Sequence, residues 1–325
     1  MTRILITGGA GFVGSNLVRR LQEERPEARL LVVDDFRMGT FRNLGGEGKD
    51  GWSFNGEVMA ASLRGLDIYE LVNEFDPEIV FHQAAITDTT VTDEARMIAD
   101  NVEPFETLVA AAVQRGFRLV WASSAATYGR SARGAVEARR PFRLEDAGQP
   151  ANAYGFSKWI MENIHRRALA ENPAARLVGL RYFNVFGPNE QNKAHMASMI
   201  YKLSQQMLAG QQPRIFHGGE QARDHVYVKD VVSATLAAAG DGARSGIYNV
   251  GTGRATTFNR VIEILNEALG TRLAPAYFDN PYAFYQDYTS ADLSETEAGL
   301  GWTPKYTTEE GILDYVPALR AGEPG

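Results

Sequence analysis

The stretch Arg3-Ile4-Leu5-Ile6-Thr7-Gly8-Gly9-Ala10-Gly11-Phe12-Val13-Gly14 decides the fold. Arg3–Thr7 reads as a short buried strand, and Phe12–Glu24 has the apolar spacing of a helix. The glycines between them fit G-x-G-x-x-G from Gly9 and G-x-x-G-x-x-G from Gly8. Glycine at these places allows the tight turn, close approach of backbone to a pyrophosphate, and close packing of helix on strand. The start of the helix adds free N–H donors and the positive end of its dipole. Gly8, Gly11, Phe12, Val13 and Gly14 are therefore candidate contacts to a bound dinucleotide.

Working outward, Arg29–Asp34 reads as a second strand, with Asp34 placed 20 positions after Gly14. An acidic residue there bonds the adenosine ribose hydroxyls of a nicotinamide dinucleotide. Asp35 and Arg37 follow it. Arg37 and Arg42 are either grips for a 2′-phosphate or ordinary surface arginines, so NAD and NADP both stay open. Further on, a helix at Asp67–Glu74, a strand at Glu78–His82, a long helix at Ala95–Arg115 and a strand at Phe117–Ala122 continue the alternation. Apolar strands separated by helices indicate a parallel sheet covered on both faces, and right-handed crossovers make it doubly wound. The fold class is thus α/β, a doubly wound (Rossmann) sheet with a smaller C-terminal α/β lobe. We expect a dinucleotide-binding domain over residues 1–175 that also receives elements from about 176–250. The smaller, discontinuous substrate-binding lobe falls within 190–325. Along the rest of the chain, helices are expected at Ala151–Ala170, Met196–Ala209, Val228–Ala239 and Thr257–Leu269 and strands at Arg176–Leu180, Arg214–His217 and Ile247–Val250. Gly45–Gly51 and Arg130–Pro150 read as surface loops, and Pro317–Gly325 as a frayed tail.

The 325 residues are enough for about two domains, and 44% hydrophobic with 22% charged residues is ordinary globular composition. A formal net charge of −7 argues against a general nucleic-acid binder, whose affinity comes from basic surfaces. The chain has no cysteine, which excludes disulfides, thiolate metal sites and cysteine nucleophiles. Its five histidines show no paired ligand spacing, so no metal is expected. No stretch approaches the ~20 apolar residues of a membrane span, and the N-terminus runs straight into a strand, so the expected location is the cytoplasm with no membrane partner.

Tyr154-Gly155-Phe156-Ser157-Lys158 puts a tyrosine and a lysine one helical turn apart. A free phenol titrates near ~10, and a nearby ammonium and a positive nicotinamide favour its phenolate. The pair can then exchange a proton with a substrate hydroxyl. Ser123-Ser124-Ala125-Ala126-Thr127-Tyr128-Gly129 follows a strand, at the carboxyl edge where ligands bind such sheets.

Together these residues resemble the extended short-chain dehydrogenase/reductase family, above all its sugar-nucleotide epimerases and dehydratases. The resemblance also takes in His82-Gln83-Ala84-Ala85, Asn101 and Arg181-Tyr182-Phe183-Asn184-Val185-Phe186-Gly187-Pro188. It implies that Tyr154 is the acid/base, that Lys158 holds the nicotinamide ribose, that Ser124 orients the substrate, and that Ala84 and Asn101 lie along the cofactor. It further implies a nucleotide-diphosphate sugar as substrate and a homo-oligomer. His82 reads as structural.

The segments Asn189-Glu190-Gln191-Asn192-Lys193, Met196-Ala197-Ser198 and Tyr285-Gln286 resemble the subfamily of ADP-L-glycero-D-manno-heptose 6-epimerases. UDP-hexose 4-epimerase is the alternative, and a non-catalytic dinucleotide-binding regulator a more distant one. By that resemblance Lys193 is either a second proton carrier opposite Tyr154 or a phosphate contact. Arg223 is either a diphosphate ligand, through paired donors, or an ion-pair partner of an acid such as Asp224. Asn184, Ser198 and Phe216 fall on the substrate side, and Tyr285 on either the sugar pocket or the core. Two positions depart from the subfamily: Thr87-Asp88-Thr89-Thr90 brings a carboxylate near the substrate, and Phe284 stands where a basic residue is usual.

Overall fold

A computed structural model describes residues 1–45, 51–129, 139–280 and 287–321. Its strands β1 (Arg3–Thr7), β2 (Arg29–Asp34), β3 (Glu57–Ala60), β4 (Ile79–His82), β5 (Arg118–Ser124), β6 (Leu177–Tyr182) and β11 (Gly246–Val250) form one parallel sheet in the order β11-β6-β5-β4-β1-β2-β3. The order reverses between β1 and β4, the place where doubly wound sheets open a crevice at their carboxyl edge. Strands β1, β4 and β6 are buried almost end to end, as expected for a sheet with helices on both faces. On one face lie α1 (Phe12–Glu24) and α7 (Val228–Ala239). On the other lie α2 (Ile68–Phe75), α4 (Glu103–Arg115) and α5 (Ala153–Glu171). A third apolar cluster joins α6 (Met199–Leu208), α8 (Phe258–Leu269) and α10 (Thr308–Arg320) around Phe186, Ile215 and Tyr227. Three two-stranded sheets complete this part: β7 (Asn184–Phe186) with β10 (His225–Tyr227), β8 (Arg214–Phe216) with β13 (Ala276–Phe278), and β9 (Ala222–Arg223) with β12 (Thr256–Thr257). Among the described residues no helix is long and apolar enough to cross a membrane.

The observed elements depart from the sequence expectations in several places, the short strands β7, β9, β10, β12 and β13 among them. The helix expected at Ala95–Arg115 is three pieces, α3 (Glu94–Met97), a π-turn at Ile98–Val102, and α4. Strand β3 was not anticipated, because an edge strand with mostly exposed residues carries no apolar run. The tail from Pro317 is not frayed throughout: Pro317–Arg320 completes α10, and Leu319 is buried. A Thr307/Glu310 capping box starts that helix, and α9 (Ser294–Leu300) precedes it. Of the expected loops, residues 46–50 and 130–138 lie outside the described residues.

Glu162 on α5 and Arg181 on β6 form a bidentate ion pair, 2.7 Å at each contact, with both side chains 1% exposed or less. Ser123 Oγ donates to the same carboxylate at 2.7 Å, and Arg166 reaches it at 2.7 Å from the solvent side. Arg181 also donates to the Tyr128 hydroxyl at 2.8 Å and the Leu144 carbonyl at 2.9 Å. Tyr128 in turn donates to Asn249 Oδ1 at 2.6 Å. Helix α5, the ends of β5 and β6, and β11 are thereby fixed to one another by charge-assisted bonds. Glu162→Ala should cost about 3–5 kcal/mol in urea unfolding, because it leaves the Arg181 charge buried without its counter-ion. Arg181→Ala should cost less, because Arg166 and Ser123 still bond the Glu162 carboxylate. The double change Glu162→Leu with Arg181→Met should lose less than the sum of the two, and strict additivity would contradict the coupling.

Candidate active site

A cleft of about 950 Å³ opens along the carboxyl edge of the sheet. It is lined by the glycine loop, Asp34, Asp35, Arg37 and Asp100, by Ser124, Tyr154 and Lys158, and by Asn184, Lys193, Ser198 and Arg223. The glycine turn is forced by contact. A Cβ on Gly14 would meet the Gly8 carbonyl oxygen at 2.0 Å, and one on Gly8, at φ 71°, would meet the Ala84 backbone nitrogen at 2.5 Å. Any side chain there would push α1 off β1 and the loop off the 83–84 segment. Helix α1 has Gly11 at its N-cap, with no side-chain cap and no acid in its first turn, and Phe12, Val13 and Gly14 of that turn line the cleft.

Asp34 lies beside that loop. Its carboxylate accepts from the Ala10 N–H at 2.9 Å and the Phe36 N–H at 2.8 Å, and burial pushes its pKa up against those bonds. Arg37 is held by Asp35 and by Asp100, the latter at 2.8 Å. Asn101, expected along the cofactor, is instead 1% exposed and braces the wall from behind: it accepts from the Ile86 N–H at 2.7 Å and donates to the Ile86 carbonyl at 3.0 Å. His82 Nδ1 lies 2.8 Å from Thr7 Oγ1, and burial lowers its pKa to about 3, so it is a neutral tie between β1 and β4.

Helix α5 delivers the tyrosine and lysine. The Asn152 side chain caps it by accepting from the Gly155 N–H at 2.8 Å, which places Tyr154 in the first turn and Lys158 one turn on. Gly155 lets the helix touch the turn after β5; a Cβ there would lie 2.7 Å from the Ala126 carbonyl oxygen. Ser124 caps that turn through the Ala126 N–H at 3.1 Å, and its hydroxyl also hydrogen-bonds the Tyr154 phenol. Lys158 is 1% exposed, donates from Nζ to the Ala122 carbonyl at 2.8 Å, and sits 6.0 Å from the centre of the Tyr154 ring. Burial lowers its pKa to about 7. The phenol's pKa is raised by burial, with Ser124 opposing.

Lys193 lies in the 3₁₀ segment Gln191–Met196, its Nζ 5.3 Å from the centre of the Phe12 ring. Burial lowers its pKa, opposed by Glu190. Glu190, fully buried, holds the segment by accepting from the Gly187 N–H at 3.0 Å and the Ser198 N–H at 2.6 Å. The Ser198 hydroxyl is already engaged: it donates to Glu190 at 3.0 Å and caps α6 through the Tyr201 N–H at 3.1 Å. Arg223 is 7% exposed on β9, while the carboxylate of Asp224 takes its bonds from Thr252, Gly253 and Ala291. Phe216 does not line the cleft; its ring packs 4.9 Å from that of Phe278. Tyr285 and Phe284 lie outside the described residues. Asp88 lines the cleft and pairs with His195 at 3.2 Å. Glu162, Glu190, Asp100 and Arg181 carry this geometry, yet the sequence reading gave them no role; Arg181 and Glu190 stood within family-like segments, Glu162 at i+4 from Lys158, and Arg181 as a charge inside the apolar run of β6.

The parallel sheet, glycine turn and Ser–Tyr–Lys corner define a dinucleotide-binding protein of the short-chain type, and the chain belongs to the NAD dependent epimerase/dehydratase family, whose model matches residues 4–251. Among solved structures it is similar to Helicobacter pylori ADP-L-glycero-D-manno-heptose-6-epimerase, with 37% identity, a TM-score of 0.87, and 98% of this chain and 96% of that one covered. It is also similar to Thermotoga maritima UDP-glucose 4-epimerase, with 29% identity, a TM-score of 0.86, and 98% and 99% covered. A third is UDP-N-acetylglucosamine 4-epimerase from Methanobrevibacter ruminantium, with 26% identity, a TM-score of 0.86, and 98% of both chains covered.

The Lys158 environment sets a pH signature. A folded pKa near 7, below the unfolded value of ~10.4, means that the unfolded chain binds more protons between these limits. The penalty is complete below pH 7 and fades as pH rises toward 10. In the protein free of dinucleotide, the unfolding free energy of the wild type relative to Lys158→Met should climb by up to ~1.4 kcal/mol per pH unit from pH 7 to 10. A flat difference would mean that the lysine is not desolvated.

Proposed function

We propose that this chain is a nicotinamide-dependent sugar-nucleotide epimerase that inverts C6 of an ADP-glycero-manno-heptose. The observation that carries this reading is one cleft lined by two separate proton-transfer candidates, Tyr154 with Ser124, and Lys193. The 37% identity to the Helicobacter heptose epimerase over nearly the whole chain supports the choice of sugar.

The site fits the dinucleotide. The uncapped start of α1 and the bare Gly8–Gly14 turn suit its pyrophosphate, Asp34 its adenosine ribose, and Lys158 its nicotinamide ribose. When bound, that cofactor supplies reversible hydride exchange at a hydroxyl-bearing carbon. The chain's own part is the proton. Tyr154 takes the hydroxyl proton, with Ser124 fixing the oxygen by hydrogen bonding. A raised phenol pKa in the protein alone is suited to keeping that proton. Inversion requires the sugar carbon to offer its second face, and Lys193, desolvated and also lining the cleft, would give its proton to the oxygen there while Tyr154 keeps the one it took, the two groups being reset by exchange with solvent. Arg223 holds the diphosphate and Asn184 the sugar hydroxyls. The Ala125-Ala126 pair beside Ser124 offers no acid for elimination, so epimerisation is preferred to dehydration.

Incubation with ADP-heptose and with several UDP-hexoses, with product stereochemistry read by NMR, tests the substrate; turnover of a UDP-hexose alone would replace this reading with 4-epimerisation. Tyr154→Phe should keep dinucleotide binding and lose about 10²–10⁴-fold in turnover. Lys193→Ala should lower kcat far more than it raises KM; a change in KM alone would make Lys193 a binding residue.

A further inference from the structure

At the Asp34 end of the cleft three arginines from three separate segments converge on one carboxylate. Arg37 follows β2, Arg64 lies in the turn Leu63–Gly65, and Arg96 is on α3. Asp100, in the π-turn, lies 2.8 Å from Arg37 Nη1, 3.6 Å from Arg96 Nε and 3.7 Å from Arg64 Nη1, and its side chain is only 5% exposed. All four residues line the cleft with Asp34 and Asp35.

The π-turn explains how Asp100 reaches this place. One extra residue per turn shifts the register of the helix, so that neighbouring positions serve different tasks. Asn101 turns inward to brace Ile86, while Asp100 faces the arginines. Arg37 has a fork of donors matched to a phosphate, but Asp35 and Asp100 occupy its Nε and Nη1. Three guanidiniums therefore line the cleft with three carboxylates, of which Asp35 and Asp100 bond the arginines while Asp34 is bonded by backbone N–H groups. A phosphate on the ribose 2′-oxygen, carrying close to two negative charges, would have to displace carboxylates already bonded to the cations it needs.

We propose that Asp100 is a specificity-determining residue: by holding Arg37, with Arg64 and Arg96 beside it, the carboxylate withholds them from a 2′-phosphate and makes the cleft select NAD over NADP. The inference rests on the reading that the cleft binds a nicotinamide dinucleotide. Removing the Asp100 charge leaves three guanidiniums lining the cleft with two carboxylates, which favours the 2′-phosphate and hardly touches a 2′-hydroxyl.

The test is direct binding of NADH and of NADPH to the full chain stripped of dinucleotide, followed by calorimetry or by cofactor fluorescence. The wild type should bind NADH at least about tenfold more tightly than NADPH, and Asp100→Asn should narrow that ratio about tenfold by tightening NADPH. Equal or tighter NADPH binding by the wild type, or an unchanged ratio in Asp100→Asn, overturns the proposal. A second variant is informative even if Asp100→Asn folds poorly. Arg37→Gln in the otherwise unchanged chain should leave NADPH affinity within about twofold, because the guanidinium is already committed; a marked loss of NADPH affinity there overturns the proposal as well. Failure of both dinucleotides to bind the wild type would instead overturn the dinucleotide reading on which it rests.

Discussion

The ion pair between Glu162 and Arg181 sets the geometry on which the catalytic corner depends. Two buried charges are costly to desolvate, and the pair is tolerable only because every remaining donor and acceptor has a partner. Those partners are what matter here. Ser123, adjacent to Ser124, and Arg166 bond the carboxylate, while Tyr128 and the Leu144 carbonyl bond the guanidinium. The helix that carries Tyr154 and Lys158 is thus referenced to the same carboxylate as the strand end that carries Ser124. A shift of one must move the other. An apolar contact of the same size would hold the elements together with far less directional control.

Two parts of the cleft lining are built on different principles. Around Tyr154 the supports are regular elements, a capped helix and a sheet edge, with Gly155 allowing their close approach. The Lys193 segment is irregular backbone, where Ala194 takes φ 47° and the buried Glu190 carboxylate gathers the backbone on either side of it. Both lysines are desolvated, so each is a weaker cation than in water and each gains when an anionic ligand enters.

Much of this was legible from sequence, for identifiable reasons. The parallel sheet follows from β-rich runs broken by helical patterns, and the cofactor turn from glycines whose spacing has a steric cause. What could not be read is what depends on partners far apart in the chain. Asn101 matches a family position, but its amide is used on Ile86, a bond 15 residues away in sequence. Ser198 caps a helix, and Phe216 packs on Phe278 across a small sheet that local spacing does not announce. Strand β3 was missed because its residues are mainly exposed, and the last helix because Pro317 reads as a terminator although it sits inside a helix already begun by a capping box.

The uncapped start of α1 has a consequence for the life of the protein. A helix start with neither a side-chain cap nor an acid in its first turn, together with a desolvated ammonium at Lys158, means that part of the native state's free energy resides in whatever anion binds there. Resistance to proteolysis and heat then becomes a function of dinucleotide concentration, and the abundance of the enzyme is tied to the supply of the molecule it uses.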